Sequence, residues 1–190
     1  QKILEELLEL SNLESSPPPP ATERIDMDAL LDKLCRDARA LSNGRHEICL
    51  IQSGNSDLLG SEIEMASAFS NLVSNAGRYT PERGKVTLEW RVHRDGAVFS
   101  VRDSGIGIDP KHIPRLTERF YRVDRSRSRD TGGTGLGLAI VKHVVQRHGA
   151  ELTIDSQIGQ GSTFRILFPA SRVRVHRAVA EAAQAQELRR

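Results

Sequence analysis

Apolar residues recur at helical spacing in four stretches of the chain, and the first covers residues 1–14. About fourteen residues form only a marginal helix in water, so this helix needs a partner. One alternative is that the helix packs on its own domain. The other is that residues 1–14 are the end of a helix in a dimeric bundle. The apolar stripe lies opposite a glutamate-rich face and consists of Ile3, Leu4, Leu7, Leu8 and Leu10.

The other three helical patterns each end at a residue that favours helix termination. Asn and Gly tolerate the left-handed conformation that closes helices, and the residue before a proline avoids the helical region. The predicted helices run over about residues 28–43, 62–79 and 136–148.

Alternation of apolar and polar residues predicts about five strands. Asp95-Gly96 is a strong hairpin signal between the second and third, and the sequence IGQG joins the last two. Three helices on one face of a mixed, mainly antiparallel sheet make an α+β fold, a two-layer α/β sandwich. The predicted strands span residues 47–52, 85–93, 97–103, 151–156 and 162–168.

A run of four prolines, residues 17–20, marks the clearest boundary, because it cannot continue a helix and favours an extended spacer. It separates the helical residues 1–16 from a domain of residues 21–170. Residues 171–190 are rich in Ala, Gln, Arg and Glu and predict an appended helix. Residues 105–134 lack a regular pattern, and a long irregular stretch inside a compact domain usually carries function.

Composition limits the function classes. The 190 residues are 38% hydrophobic, enough for one core, and their formal net charge of +2 argues against wholesale nucleic-acid binding. Only 4% are aromatic, so base-stacking platforms are not expected. Cys35 and Cys49 lack the paired close spacing of a metal site or disulfide framework. No stretch approaches the 18 or so apolar residues of a membrane span.

Polar residues interrupt the end of the second predicted helix of the domain. Asn71, Asn75 and Arg78 are four and three residues apart, so they share one face. An amide oxygen there is suited to a hard cation such as Mg²⁺, and an arginine to a polyanion. A solvated polar face or a helix-end cap explains the same pattern equally well.

Two glycine-containing motifs follow. In DSGIGID, residues 103–109, the Asp103 carboxylate at a strand end can accept from an exocyclic amine beside Ile106 and Ile108, although the motif also makes ordinary turns. GGTGLGLAIV, residues 132–141, leads a glycine loop into a helix start, where backbone N–H groups suit phosphate. It lacks the Gly-Lys-Ser/Thr of a P-loop, and a flexible hinge is its alternative.

Four motifs occur in a fixed order, and together they resemble the catalytic, ATP-binding domain of bacterial sensor histidine kinases of the phosphate-regulon sensor type. The resemblance covers about residues 1–170. In order, the motifs are similar to that family's N box, first glycine box, F box and second glycine box: NLVSNAGRYTP, DSGIGI, RFYRVD and GGTGLGL.

The resemblance implies the α/β sandwich shared with gyrase, Hsp90 and MutL ATPases, with ATP and Mg²⁺ as cofactors. Its phosphate-end residues are Asn75 as Mg²⁺ ligand, Asn71 supporting the same metal site, and Arg78 beside the phosphates. These three are the implied catalytic set.

At the adenine end, the resemblance implies that Asp103 accepts from the amino group while Tyr79 packs against the ring. Thr163 would help through a bound water. The remaining nucleotide-binding positions there are Gly105, Gly107 and Ile108.

Residues 109–133 correspond to the family's mobile lid, which Phe120 would anchor. Gly135 and Gly137 would let the lid close on the triphosphate, assisted by an arginine among Arg125, Arg127 and Arg129. Thr134, Leu136 and Leu138 complete the implied nucleotide-binding set.

One position distinguishes kinases from ATPases of this fold. The ATPases carry a glutamate four residues before the metal-binding asparagine, where it activates water, and here that position is Asn71, which cannot take a proton at neutral pH. The resemblance therefore favours phosphoryl transfer. A hydrolysing ATPase of the same fold and a non-catalytic nucleotide-binding module are the alternatives.

None of the six histidines stands in the family's phosphoacceptor pattern of His, acid, x, Arg, x, Pro. The resemblance implies that the acceptor lies upstream of Gln1, on a helical bundle. Residues 1–16 would form the end of one helix of that bundle. The implied partners are this bundle, a response regulator and, in the parent protein, a second copy of the chain. The implied location is the cytoplasmic side of a bacterial inner membrane, with the parent anchored upstream.

Overall fold

Three helices cover one face of a five-stranded sheet in the computed structural model, which describes residues 1–123 and 132–176. The first two strands in spatial order pair in parallel, and the other three pairs of neighbouring strands are antiparallel. The prediction of a mixed, mainly antiparallel sheet is therefore confirmed. In spatial order the strands are β2 (Glu47–Ser53), β4 (Lys85–His93), β5 (Gly96–Asp103), β7 (Gly161–Pro169) and β6 (Glu151–Gln157).

The helical layer confirms the three predicted helices of the domain. They are α2 (Met27–Ser42), α3 (Glu62–Tyr79) and α4 (Gly137–Arg147). The side chain of Ser61 caps α3 by accepting from the Glu64 N–H at 3.4 Å. The helices α3 and α4 pack side by side, and the first residue of α4, Gly137, lies next to Asn71 in the second half of α3.

Aromatic side chains fill the core between the two layers. Phe69 of α3 stacks on Phe99 of β5 with ring centroids 3.9 Å apart, and Phe168 and Trp90 lie alongside. All four are buried. Truncation of such a residue to Ala costs about 3–5 kcal/mol, so these contacts fix α3 firmly on the sheet.

A second, three-stranded antiparallel sheet was not predicted. It consists of β1 (Arg24–Asp26), β3 (Ser56–Leu59) and β8 (Val173–Val175), in the order β1-β3-β8. The predicted helix over residues 171–190 is wrong at residues 173–175, because these residues form the strand β8, which pairs with β3. Residues 177–190 lie outside the described residues.

The helix α1 (Lys2–Ser15) packs on its own domain beside α4. Leu10 and Leu13 are buried there, whereas Ile3, Leu4 and Leu8 are exposed. The contact agrees with the first alternative for this helix, and the exposed apolar face leaves its place in a bundle a prediction. Among the described helices, none is long and apolar enough to cross a membrane.

Within the described part of the predicted irregular stretch, residues 105–123 and 132–134, there is one short 3-10 helix, Pro110–Arg115. Residues 124–131, with the lid arginines Arg125, Arg127 and Arg129, lie outside the described residues. The lid prediction is therefore followed below only through its two ends.

Candidate functional site

A cavity of about 520 Å³ opens between the end of α3, the end of β5 and the start of α4. These three places carry three of the four motifs found in the sequence. Eleven of the predicted site residues line the cavity: Asn71, Asn75, Arg78, Tyr79, Asp103, Gly107, Ile108, Thr134, Gly135, Gly137 and Leu138.

Asp103, at the last position of β5, lines the cavity and is buried. Its Oδ1 accepts from the N–H of Gly105 at 2.8 Å and from the N–H of Ser162 at 3.3 Å. Neither bond uses Oδ2. Burial raises the pKa of the Asp103 carboxyl, and the two N–H bonds pull it partly back. The carboxylate is thus held in one orientation with an oxygen left for a ligand.

Close backbone packing forms the wall around Asp103 and explains the glycines of this motif. A Cβ on Gly105 would lie 2.4 Å from the Tyr79 carbonyl oxygen. Gly107 has φ +71°, and a Cβ there would lie 2.0 Å from the Gln157 carbonyl oxygen. Gly105 does not itself line the cavity, so its contribution is to let the chain pass close beneath it.

The structure does not bring Thr163 to the cavity. Ser162 is in register with Asp103, and Thr163 is in register with Arg102. Since successive side chains of a strand alternate between faces, Ser162 faces the cavity and Thr163 faces away. The predicted residue is displaced by one position. The signal was present in the sequence, because Ser162 is in phase with the buried Phe164, Ile166 and Phe168.

Asn71, Asn75 and Arg78 lie together on the cavity face of α3. The Asn71 amide Nδ2 donates to the Ser67 carbonyl at 3.0 Å, which fixes its oxygen on the opposite side. That oxygen faces the first residue of α4, where a Cβ on Gly137 would lie 2.5 Å from it. Arg78 Nη1 donates to Asn75 Oδ1 at 3.3 Å. Two amide oxygens and one guanidinium therefore converge on this end of the cavity.

The glycine loop crosses the same end. Arg78 packs against Gly133, and Arg122 Nη1 donates to the Gly133 carbonyl oxygen. The hydroxyl of Thr134 accepts from the Leu136 N–H at 3.3 Å just before α4 begins. Helix starts leave N–H groups without intrahelical partners, and such groups suit phosphate oxygens.

Two predicted residues support this loop without lining the cavity. Leu136 is fully buried beneath it. Phe120 is 55% exposed, but its N–H donates to the Gly135 carbonyl at 2.9 Å. Its backbone, with φ +61°, therefore ties the segment before residue 124 to the loop.

Sequence reasoning missed several residues that line the cavity. Lys2 and Glu6 come from α1, and Tyr121 and Arg122 come from the predicted lid. Glu6 is not part of the apolar stripe, but it is four and seven residues from the buried Leu10 and Leu13. That spacing places Glu6 on the packed face of α1.

The donors in the cavity fit a hard cation. Across residues 1–123 and 132–176 no group of three His, Cys, Asp or Glu side chains is close enough to hold a metal. The amide oxygens of Asn71 and Asn75 remain, together with Glu6, whose Oε2 is buried without a hydrogen-bond partner among these residues. A cation that keeps several waters and also binds phosphate needs only such a partial set.

The two ends of the cavity therefore suit two parts of one ligand. At one end, a fixed carboxylate among apolar walls is able to accept from the amino group of a ring. At the other end, amide oxygens, arginines and helix-start N–H groups suit a polyanion with a cation. The arrangement is that of a nucleotide site.

Comparisons with known proteins agree with the interpretation of the cavity as a nucleotide site. A family described as histidine kinase-, DNA gyrase B- and HSP90-like ATPase matches residues 60–172. The chain is 53% identical over 174 residues to the phosphate regulon sensor protein PhoR of Pseudomonas aeruginosa, covering 91% of this chain and 39% of that protein. It is 38% identical over 169 residues to the sensor-like histidine kinase SenX3 of Mycobacterium tuberculosis, covering 88% and 41%.

Solved structures are similar as well. The mycobacterial sensor histidine kinase MprB matches with 28% identity and a TM-score of 0.69, over 81% of this chain and 99% of that one. Full-length ShkA in complex with AMPPNP matches with 25% identity and a TM-score of 0.78, over 92% and 36%. The chain spans about two fifths of the length of the curated relatives above. It belongs to the histidine kinase-, DNA gyrase B- and HSP90-like ATPase family, as an ATP-binding catalytic domain of the sensor histidine kinase type.

Proposed function

We propose that this chain binds ATP together with Mg²⁺ and transfers the γ-phosphoryl group to a histidine of a helical bundle. The observation that carries the choice of transfer over hydrolysis is Asn71. It lines the cavity one helical turn before Asn75, and its amide donates to Ser67, so it cannot act as a general base toward water.

Asp103 recognises the adenine. The ring's exocyclic amino group donates to Asp103, and Ser162 takes the place first assigned to Thr163 beside it. Ile108 and Tyr79 wall the ring, and both line the cavity. The support for this assignment is the fixed orientation of the carboxylate between two N–H donors.

Asn75 and Asn71 hold Mg²⁺ at the phosphate end, with Arg78 and the start of α4 receiving the phosphates. The cation supplies neutralisation of the charge that develops on the transferring group. Because Arg78 already contacts both Asn75 and Gly133, it can place the triphosphate between α3 and the glycine loop. Catalysis then consists of positioning and charge stabilisation.

The acceptor is a histidine outside this chain. Its imidazole nitrogen attacks the γ-phosphorus, the bond from that phosphorus to the β,γ-bridging oxygen breaks, and ADP leaves with the electron pair. The phosphoryl group is then transferred from this histidine to an aspartate of a response regulator. We propose further that the parent protein is a homodimer anchored in the inner membrane, with this domain on the cytoplasmic side.

The test mixes this chain with a separately purified phosphoacceptor bundle of a related sensor kinase and ATP labelled at the γ-phosphate. Label on the bundle that is stable in base and labile in acid, as phosphohistidine is, supports the proposal. Steady release of phosphate without label on the bundle would instead identify an ATPase. A bundle whose acceptor histidine is replaced by Gln is the matched control.

A further inference from the structure

The first turns of α1 contribute two side chains to the wall of the cavity. Lys2 and Glu6 line it together with Asn71, Asn75 and Arg78. No motif of the sequence assigns a role to this helix in the site. A role for α1 in the site requires that the helix be held in place by contacts with the rest of the domain.

The later turns of α1 hold it against the domain. Leu10 and Leu13 are buried, and Glu9 accepts a hydrogen bond from the Ser67 hydroxyl on α3. Glu14 pairs with Arg119, the residue before Phe120. Contacts thus join α1 to the same helix that carries Asn71 and to the base of the predicted lid.

Arg147, near the end of α4, clamps the other end of α1. Its guanidinium donates to the carbonyl oxygens of Leu13 at 2.8 Å, Ser16 at 2.7 Å and Pro17 at 2.9 Å. The same group is held by the Glu64 carboxylate at 2.9 Å. Helix carbonyls near a C-terminus carry partial negative charge, so a cation is the right partner there.

Held in this way, Glu6 brings to the cavity a carboxylate with one oxygen, Oε2, that has no hydrogen-bond partner among the described residues. The residue is only 9% exposed, and in the described part of the chain its Oε2 is the one buried side-chain oxygen or nitrogen without a hydrogen-bond partner. Lys2, itself largely exposed, is 3.9 Å from the other oxygen. A pair of that length and exposure compensates little for burial of the charge.

A carboxylate and a triphosphate repel each other across one cavity unless a cation lies between them. We propose that Glu6 is a ligand, directly or through one water, of the divalent cation that enters with the nucleotide. The helix α1 thereby adds a carboxylate oxygen to the amide oxygens of Asn71 and Asn75. This inference rests on the proposed nucleotide site.

A consequence is that cation binding and the docking of α1 favour each other, since coupling between two binding events is reciprocal. A change at the Arg147 clamp weakens the cation site although Arg147 itself does not line the cavity. That behaviour separates a ligand carried on a docked helix from a carboxylate that merely repels phosphate.

The test compares the wild-type chain with Glu6→Gln and with Glu5→Gln, which removes the same charge from an exposed position of the same helix. Binding of Mn²⁺ without nucleotide is followed by electron paramagnetic resonance. Binding of a fluorescent ATP analogue is followed over a range of Mg²⁺ concentrations. Circular dichroism melting checks that each variant is folded.

We expect Glu6→Gln to weaken Mn²⁺ binding about 10-fold and to raise the half-saturating Mg²⁺ concentration for the nucleotide by a similar factor. Glu5→Gln should behave as wild type, and Arg147→Gln should shift in the same direction as Glu6→Gln. Equal metal binding by wild type and Glu6→Gln overturns the inference. Tighter nucleotide binding by Glu6→Gln at every Mg²⁺ concentration also overturns it and makes Glu6 a repulsive gate. Absence of nucleotide binding in the wild-type chain would defeat the proposed nucleotide site instead.

Discussion

The proposed adenine end and the proposed phosphate end of the cavity differ in whether backbone or side-chain atoms form the wall. At the adenine end, backbone atoms determine the shape: two N–H groups orient Asp103, and carbonyl oxygens lie where Cβ atoms of Gly105 and Gly107 would stand. At the phosphate end, the groups that face the ligand are side chains of α3, α1 and the loop before α4, among them Arg78 and Glu6. We therefore expect the first end to be rigid and the second to adjust when a ligand binds.

The largest effect should come from Asp103→Asn. An amide in place of the carboxylate presents its N–H₂ either to the two backbone donors or to the adenine amino group, and both pairings place donor against donor. Hydrogen bonds to charged groups contribute about 1.5–3 kcal/mol, so ATP affinity should fall about 10- to 100-fold.

Isothermal titration calorimetry of ATP measures this loss, and Asp95→Asn in the exposed hairpin loop serves as the control. Near-unchanged binding by Asp103→Asn would remove Asp103 from the adenine site and would contradict the proposed adenine end.

Two glycine substitutions test rigidity against adaptability. Gly105→Ala meets a backbone oxygen at 2.4 Å, and Gly137→Ala meets the Asn71 side-chain oxygen at 2.5 Å. The first should lower the free energy of unfolding by about 1–3 kcal/mol, because backbone cannot move aside. The second should cost less, since the contact is with the end of a side chain and not with backbone, and Ala favours the helix. Urea denaturation measures both, and equal losses would contradict the distinction.

The metal dependence should respond only at the phosphate end. Asn75→Ala removes an amide oxygen from the proposed Mg²⁺ site, so the gain in ATP affinity that Mg²⁺ gives should shrink about 10-fold. Titration of Mg²⁺ at fixed ATP measures it, with Asp103→Asn as the comparison: its affinity is low, but its Mg²⁺ dependence is retained. An unaltered Mg²⁺ titration for Asn75→Ala would show that this residue does not bind the cation.

The smallest expected effect is a pH dependence specific to the adenine end. Burial raises the pKa of Asp103, and the adenine amino group needs the ionised form, so ATP affinity should decline as the pH falls through that raised pKa. The same shift costs folding free energy once the pH exceeds the ordinary aspartate pKa of about 3.9, because the unfolded chain ionises first. Fluorescence titrations from neutral pH downwards should show the decline in wild type and no such step in Asp103→Asn. A decline of the same size in both would assign it to another group.

Local patterns predicted the elements that depend on local forces. The three helices and the five strands of the main sheet were found, because periodicity and stop signals encode them directly. The strands β3 and β8 were missed. They pair across more than a hundred residues, and the four residues of β3 are all buried and so lack the alternation that marks a half-buried strand.

The site shows the same division. The motif residues on α3, β5 and the glycine loop were located from their spacing and from the family resemblance, and the structure brings eleven of them to one cavity. The displacement from Thr163 to Ser162 is a matter of strand register, which the neighbouring apolar residues could have set. The spacing could have placed Glu6 on the packed face of α1, but not in the cavity, because that depends on contacts of α1 with α3 and α4 that no local pattern contains.

The most direct test of the account is a crystal structure of this chain with Mg²⁺ and a non-hydrolysable ATP analogue. The account predicts the adenine amino group within hydrogen-bond distance of Asp103, and the cation beside Asn75 with the phosphates at the start of α4. A nucleotide bound in the reverse orientation, with phosphates toward Asp103, or bound outside this cavity would contradict it.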